Sequence, residues 1–239
     1  MSVFHVPVTA GIIEAAGTDE FDKDAEHFLT RYILERLIRE KYPGADPRMY
    51  PREELLPASD VPLPVPDDDV YRDVVRMGLL RVDKDPRGRP YAGFLPGGCC
   101  VSISHCRYAA AAAVGNDVCG IDVERRFDWN EKLAFRVFHP SERRILEKSV
   151  LSLSEKRDIL GKIWSRKEAY LKCLGTGLFT DVRSICVVGA DSRVYDRQVS
   201  AEKVKIDGKS WYFTERQNER YTLCICSHKK NIMIQTLRP

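Results

Sequence analysis

The segment Gly120-Ile121-Asp122-Val123-Glu124 sets two carboxylates two residues apart within an apolar run. On a strand, successive side chains point to opposite faces. Ile121 and Val123 would then face a core, with Asp122 and Glu124 side by side on the other face. Like charges held so close repel. A hard cation such as Mg²⁺, which takes one or two carboxylates together with phosphate oxygens, would relieve that repulsion. So would solvent and the arginines that follow, Arg125 and Arg126. A second segment runs Trp164-Ser165-Arg166-Lys167-Glu168-Ala169-Tyr170-Leu171-Lys172-Cys173-Leu174-Gly175-Thr176-Gly177. In a helix, Trp164, Glu168 and Lys172 fall on one stripe. Glu168 and Lys172 would form either an exposed ion pair, worth about 0.3 kcal/mol, or a metal carboxylate beside a lysine that meets a phosphate. Gly175 and Gly177 end the helix and let the chain turn. The third group is Ser102-Ile103-Ser104-His105, preceded by Arg89-Pro90-Tyr91. Ser104 and His105 would face opposite sides of a strand, which argues against a Ser–His nucleophile pair. A histidine at a strand end can be purely structural, yet Arg89, Ser104 and His105 are all suitable donors to phosphate.

The elements that must position these residues follow from periodicity. Residues 3–14 alternate loosely as a strand, and residues 22–41 repeat apolar side chains at helical steps. Tyr42-Pro43-Gly44 ends that helix. Residues 43–70 are proline-rich and aperiodic, a long loop or insertion. A short helix over 70–82 and a turn at 85–88 follow. Strands are predicted at 101–104, 108–115 and 119–124. Helices are predicted at 131–138, 141–150 and 154–174, and strand-like runs at 183–189, 202–206, 210–215 and 221–226. Val101 to Gly115 and Trp211 to Cys226 echo one another as strand pairs, each with a tyrosine early in its second strand. Duplication and chance both account for that echo.

Composition narrows the classes. The 239 residues suffice for one large or two small domains. Lysines and arginines number 38 against 35 acids, for a net charge of +3. This balance does not favour nucleic acid, whose partners carry a strong basic bias. The first residues lack a basic leader region and carry Glu14, so no signal peptide is read there. No apolar run is long enough for a membrane span. The eight cysteines form no C-x-x-C pair and have no paired histidines, which disfavours zinc. They are read as reduced, small apolar side chains of a cytoplasmic protein.

Together, Arg-Pro-Tyr with Ser-Ile-Ser-His, Gly-Ile-Asp-Val-Glu and Trp-Ser-Arg-Lys-Glu-Ala-Tyr-Leu-Lys-Cys-Leu-Gly-Thr-Gly resemble the surfactin-synthetase-activating class of 4'-phosphopantetheinyl transferases, from about Arg89 to Leu178. The resemblance implies an α+β fold of two similar halves related by a pseudo-twofold axis, with the active site between them. Residues 1–118 would serve the nucleotide end of coenzyme A, and residues 119–239 the metal and phosphates. Asp122, Glu124 and Glu168 would bind Mg²⁺, with Asp122 also at the coenzyme. Glu168 would be the leading general base. Glu142 aligns with a glutamate that sits near the metal in some members and is a second catalytic candidate. Lys172 would reach the coenzyme A phosphates, and Arg89, Ser104 and His105 its nucleotide end. The implied reaction moves the phosphopantetheine arm onto a serine of an acyl or peptidyl carrier protein and releases adenosine 3',5'-bisphosphate. The carrier could belong to fatty-acid, polyketide or nonribosomal-peptide synthesis. A monomer with no nucleic-acid or membrane partner is expected. The carrier is expected on residues 131–160, where Arg136, Arg143, Arg144, Lys148, Lys156 and Arg157 supply cations. A non-catalytic coenzyme A-binding module is the rival reading. The N-terminal helix contributes Arg31, Arg36 and Arg39, but no clear pair for the nucleotide phosphates.

Overall fold

The computed structural model describes residues 7–17, 19–42, 83–86, 89–91, 95, 99–147, 150–176, 180–189, 201–230 and 232–238. The proline-rich 43–70 stretch and the helix expected over 70–82 lie outside the described residues.

The fold is α+β, built on two four-stranded sheets. In the first, β1 (Thr9–Glu14) lies between β10 (Met233–Thr236), to which it is parallel, and β5 (Ala109–Gly115), to which it is antiparallel; β4 (Cys100–Cys106) closes the other side of β5. In the second, β6 (Cys119–Arg125), β9 (Tyr221–Ser227), β8 (Lys209–Gln217) and β7 (Ala201–Ile206) follow in that order, all antiparallel. A two-residue pairing joins β2 (Asp83–Lys84) to β3 (Pro90–Tyr91).

Three apolar clusters order these parts into layers. Helix α1 (Lys23–Lys41) covers one face of the first sheet, where Ile33, Leu34 and Leu37 meet Ala110, Ala112 and Val114. The opposite face, with Ala109, Ala111 and Ala113, packs on Ile121, Val123, Leu223 and Ile225 of the second sheet. Helix α4 (Leu153–Leu174) covers the far side of the second sheet through Ile159, Leu160, Ile163 and Tyr170. Two short helices, α2 (Glu131–Val137) and α3 (Pro140–Glu147), lead into α4.

Local chemistry sets the helix ends. The Asp22 carboxylate accepts from the Ala25 N–H at 2.7 Å to start α1. Ser152 and Glu155 form a capping box at the start of α4. Gly175 ends α4 with φ +66, a left-handed conformation that glycine adopts without strain.

Two expectations are corrected. The strand expected at 183–189 does not form: Val182–Ser184 is a 3-10 turn, and 185–189 joins no ladder. The Val187 N–H instead donates to the Glu142 carboxylate at 2.7 Å, and its carbonyl accepts from Arg166 at 2.9 Å. Side chains thus meet the backbone groups a neighbouring strand would have met. The second is an addition, β10, whose short run carried no clear alternation. Among the described residues no helix is long and apolar enough to cross a membrane.

Candidate active site

The site begins with a glycine. A Cβ on Gly120 would overlap the Ala169 carbonyl oxygen and lie 2.8 Å from the Cys173 nitrogen. Only hydrogen fits, so α4 rests directly on β6. That approach brings the Glu168–Lys172 stripe of the helix against the Asp122–Glu124 face of the strand.

Lys172 Nζ donates to Asp122 Oδ1 at 2.9 Å, to the Ile121 carbonyl at 2.9 Å and to Ser104 Oγ at 3.0 Å. Ser104 Oγ also accepts from the Val123 N–H at 3.1 Å and lies 3.3 Å from Asp122 Oδ1, to which it donates. This uses the hydroxyl's one proton and both lone pairs. Two turns before Lys172, Trp164 Nε1 donates to Glu124 Oε1 at 3.4 Å.

Ser104 belongs to a row. The N–H groups of Cys119, Ile121 and Val123 donate to Cys100 Sγ at 3.3 Å, Ser102 Oγ at 3.0 Å and Ser104 Oγ at 3.1 Å. Alternate side chains of β4 thus satisfy the edge of β6 that no strand covers. They lock the strand bearing both carboxylates to the first sheet.

The carboxylates are short of positive charge. Burial raises Glu124 to about 7, and the Asp122 carboxylate adds to the rise. Burial and Asp122, in that order, also raise Glu168, with Lys172 opposing. Asp122 Oδ2 and Glu168 Oε1 are buried with no hydrogen-bond partner. Hard oxygen donors, mutual repulsion and two unpartnered buried oxygens suit a divalent cation. The side chains do not form a closed shell as they stand: among the described residues no three His, Cys, Asp or Glu side chains are gathered around one point.

The other expected residues lie around this centre. His105 faces away from Ser104, as alternation requires, and its Nδ1 lies 2.9 Å from Glu26 Oε2 on α1. Arg89 packs against Gly175 and donates to Cys100 Sγ at 2.9 Å. Cys119, against burial and with help from the Arg89 guanidinium, brings the Cys100 thiol down to about 6. Glu142 stands apart. It is fully buried, pairs with Lys167 at 2.8 Å, and accepts from the N–H groups of His139 at 2.8 Å and Val187 at 2.7 Å. Both oxygens are engaged, and these partners include none of the three carboxylates. A buried charge needs a matched cation and satisfied lone pairs, and Glu142 has both here.

Beside Glu124 opens a cleft of about 510 Å³ whose walls include Phe127, Trp129, Leu133 and Trp164. Sequence reasoning missed Glu26, His27 and Ser102. The alternation of Cys100, Ser102 and Ser104 was the available signal for the last. Nothing local marked the other two as neighbours of β4.

Comparison with known proteins places this geometry. Residues 118–226 match the family model described as the 4'-phosphopantetheinyl transferase superfamily. The chain is 36% identical over 109 residues to the 4'-phosphopantetheinyl transferase HetI of Nostoc sp., across 44% of this chain and 45% of that protein. It is 27% identical over 104 residues to the 4'-phosphopantetheinyl transferase gsp of Aneurinibacillus migulanus, across 44% and 42%. It is 29% identical over 140 residues to a 4'-phosphopantetheinyl transferase of Bacillus subtilis, across 59% of each. The chain spans about half the length of the curated relatives it matches.

Proposed function

We propose that this protein is a 4'-phosphopantetheinyl transferase of the surfactin-synthetase-activating class. It transfers the phosphopantetheine arm of coenzyme A to a carrier-protein serine in the cytoplasm. One observation carries the reading: Lys172 and Asp122, both inside the segment that matches the family, form a hydrogen-bonded cluster with Ser104 beside two unpartnered buried carboxylate oxygens.

Asp122, Glu124 and Glu168 would hold Mg²⁺. Bound there, the ion would neutralise charge on the diphosphate as the phosphorus–oxygen bond breaks. Lys172 supplies a second cation to the phosphates. Glu168, whose Oε1 has no partner, is the base for the carrier serine proton. The serine oxygen attacks the phosphorus that bears the pantetheine arm, and adenosine 3',5'-bisphosphate leaves. Arg89, Ser104 and His105 serve the nucleotide end. Residues 1–118 would therefore form the nucleotide half and residues 119–239 the metal and phosphate half. The carrier docks on residues 131–160, where Phe135 is exposed under the Arg143 guanidinium, 3.9 Å from the ring centre. Lys148 of that surface lies outside the described residues.

The test is mass spectrometry of apo-carrier proteins incubated with coenzyme A, Mg²⁺ and the enzyme. The expected product carries one phosphopantetheine, and excess chelator abolishes it. Coenzyme A binding without transfer to any carrier would favour the binding-module reading. Transfer that persists in chelator would remove the metal from the mechanism.

A further inference from the structure

The first turns of α1 bring an acid, Glu26, to the expected nucleotide side. His105 Nδ1 lies 2.9 Å from Glu26 Oε2, with the two side chains 28% and 14% exposed. The His27 ring meets the His105 ring edge-on, 4.6 Å between centres and 68° between planes. We propose that Glu26 is a positioning residue that orients the His105 imidazole for binding a phosphate monoester. This rests on the placing of His105 at the nucleotide end of coenzyme A, where the 3'-phosphate is that group.

The argument starts from donor and acceptor chemistry. An ionised carboxylate only accepts, so its contact with Nδ1 requires the ring proton on that nitrogen. The tautomer is thereby set from α1. Nε2 can then donate to an anion only when the ring carries both protons. A bound phosphate and Glu26 would accordingly flank an imidazolium, each accepting one N–H. Such charge-assisted bonds are roughly twice as strong as neutral ones. The ring plane is held as well: Glu26 fixes one nitrogen, and the edge of His27 limits rotation. A carboxylate with no role beyond tying α1 to β4 would hold the fold together and leave phosphate preference unchanged.

Two measurements decide. Nitrogen-15 NMR of the uncomplexed protein should show His105 protonated at Nδ1, and Glu26→Ala should release the ring to the Nε2–H form. Calorimetry should show the Kd of adenosine 3',5'-bisphosphate rising about tenfold in Glu26→Ala, as expected for a charge-assisted contact. The Kd of adenosine 5'-monophosphate, which lacks the 3'-phosphate, should change less than twofold. Glu26→Gln preserves shape and an acceptor oxygen but removes the charge, so it should keep the Nδ1–H form with an intermediate Kd. An Nε2–H ring in the wild type would overturn the proposal. So would equal weakening toward both nucleotides, or no weakening toward either. Failure of the transferase reading would appear separately, as wild-type enzyme that modifies no carrier.

Discussion

Beneath α4, the second sheet and its flanking chain offer charged partners. Arg166 is fully buried and bonds Glu215 through two nitrogens at 2.7 and 2.9 Å, Glu202 at 2.8 Å and the Val187 carbonyl at 2.9 Å. Lys167, also fully buried, pairs with Glu142 and donates to the Val137 and Val182 carbonyls. Beneath α1, the first sheet offers chiefly the alanines of β5, with the polar Glu26–His105 contact near the start of the helix. Gly11 lets that helix approach: a Cβ there would sit 2.6 Å from Ile33 Cγ2. Apolar burial is non-directional, whereas hydrogen-bonded ion pairs fix direction. The helix held by charge is the one that carries Glu168 and Lys172 and sets Lys172 against Asp122.

The largest effect should come from Arg166→Met, which leaves buried Glu215 and half-buried Glu202 without their cation. A stability loss of about 3–5 kcal/mol is expected, read from the urea midpoint. A loss under about 1 kcal/mol, the scale of a surface pair, would break the contrast between the two helices. Glu142→Ala should cost about 3 kcal/mol by stranding Lys167. The double variant Glu142→Met, Lys167→Met should recover most of that loss together with transfer activity. Inactivity in a stable double variant would return Glu142 to catalysis.

Gly120→Ala should push α4 from β6, at a cost of about 1–3 kcal/mol for forced overpacking. Turnover should fall more than tenfold as Lys172 and Asp122 part. Full activity would show that the close approach is not needed. In the first sheet, Ala112→Gly should cost about 1–2 kcal/mol, the backbone-entropy difference plus one buried methyl, and leave turnover unchanged. A larger loss would show that the alanine layer is as demanding as the charged one.

The smallest effect concerns pH. Burial, with Glu124 and Glu26 adding, raises the Cys106 thiol to about 11, against an ordinary value of 9.0. The unfolded thiol ionises first as pH rises, so Cys106 contributes stability that is full below pH 9 and is lost as pH climbs toward 11. Thermal unfolding should show a shallower alkaline decline in Cys106→Ala than in the wild type. Parallel curves would assign the decline to other groups.

Local pattern carried much of this protein. The alternation in Ile121-Asp122-Val123-Glu124 and the four-residue steps of Trp164, Glu168 and Lys172 named the strand, the helix and the face each turns to the other. Such periods belong to the chain itself, whatever it later packs against. Other features depended on residues distant in sequence. The run 183–189 reads as a strand, yet its Val187 N–H is claimed by Glu142. Glu142 reads as one acid at a helix start until Lys167, 25 positions on, is seen buried beside it. Glu26 reads as one acid on a helix face until His105, 79 residues away, meets it. Spacing along a chain fixes which way a side chain points, but burial and pairing arise only when separate segments meet, so tertiary structure alone decided which charges were paired in the core and which buried oxygens were left without a partner.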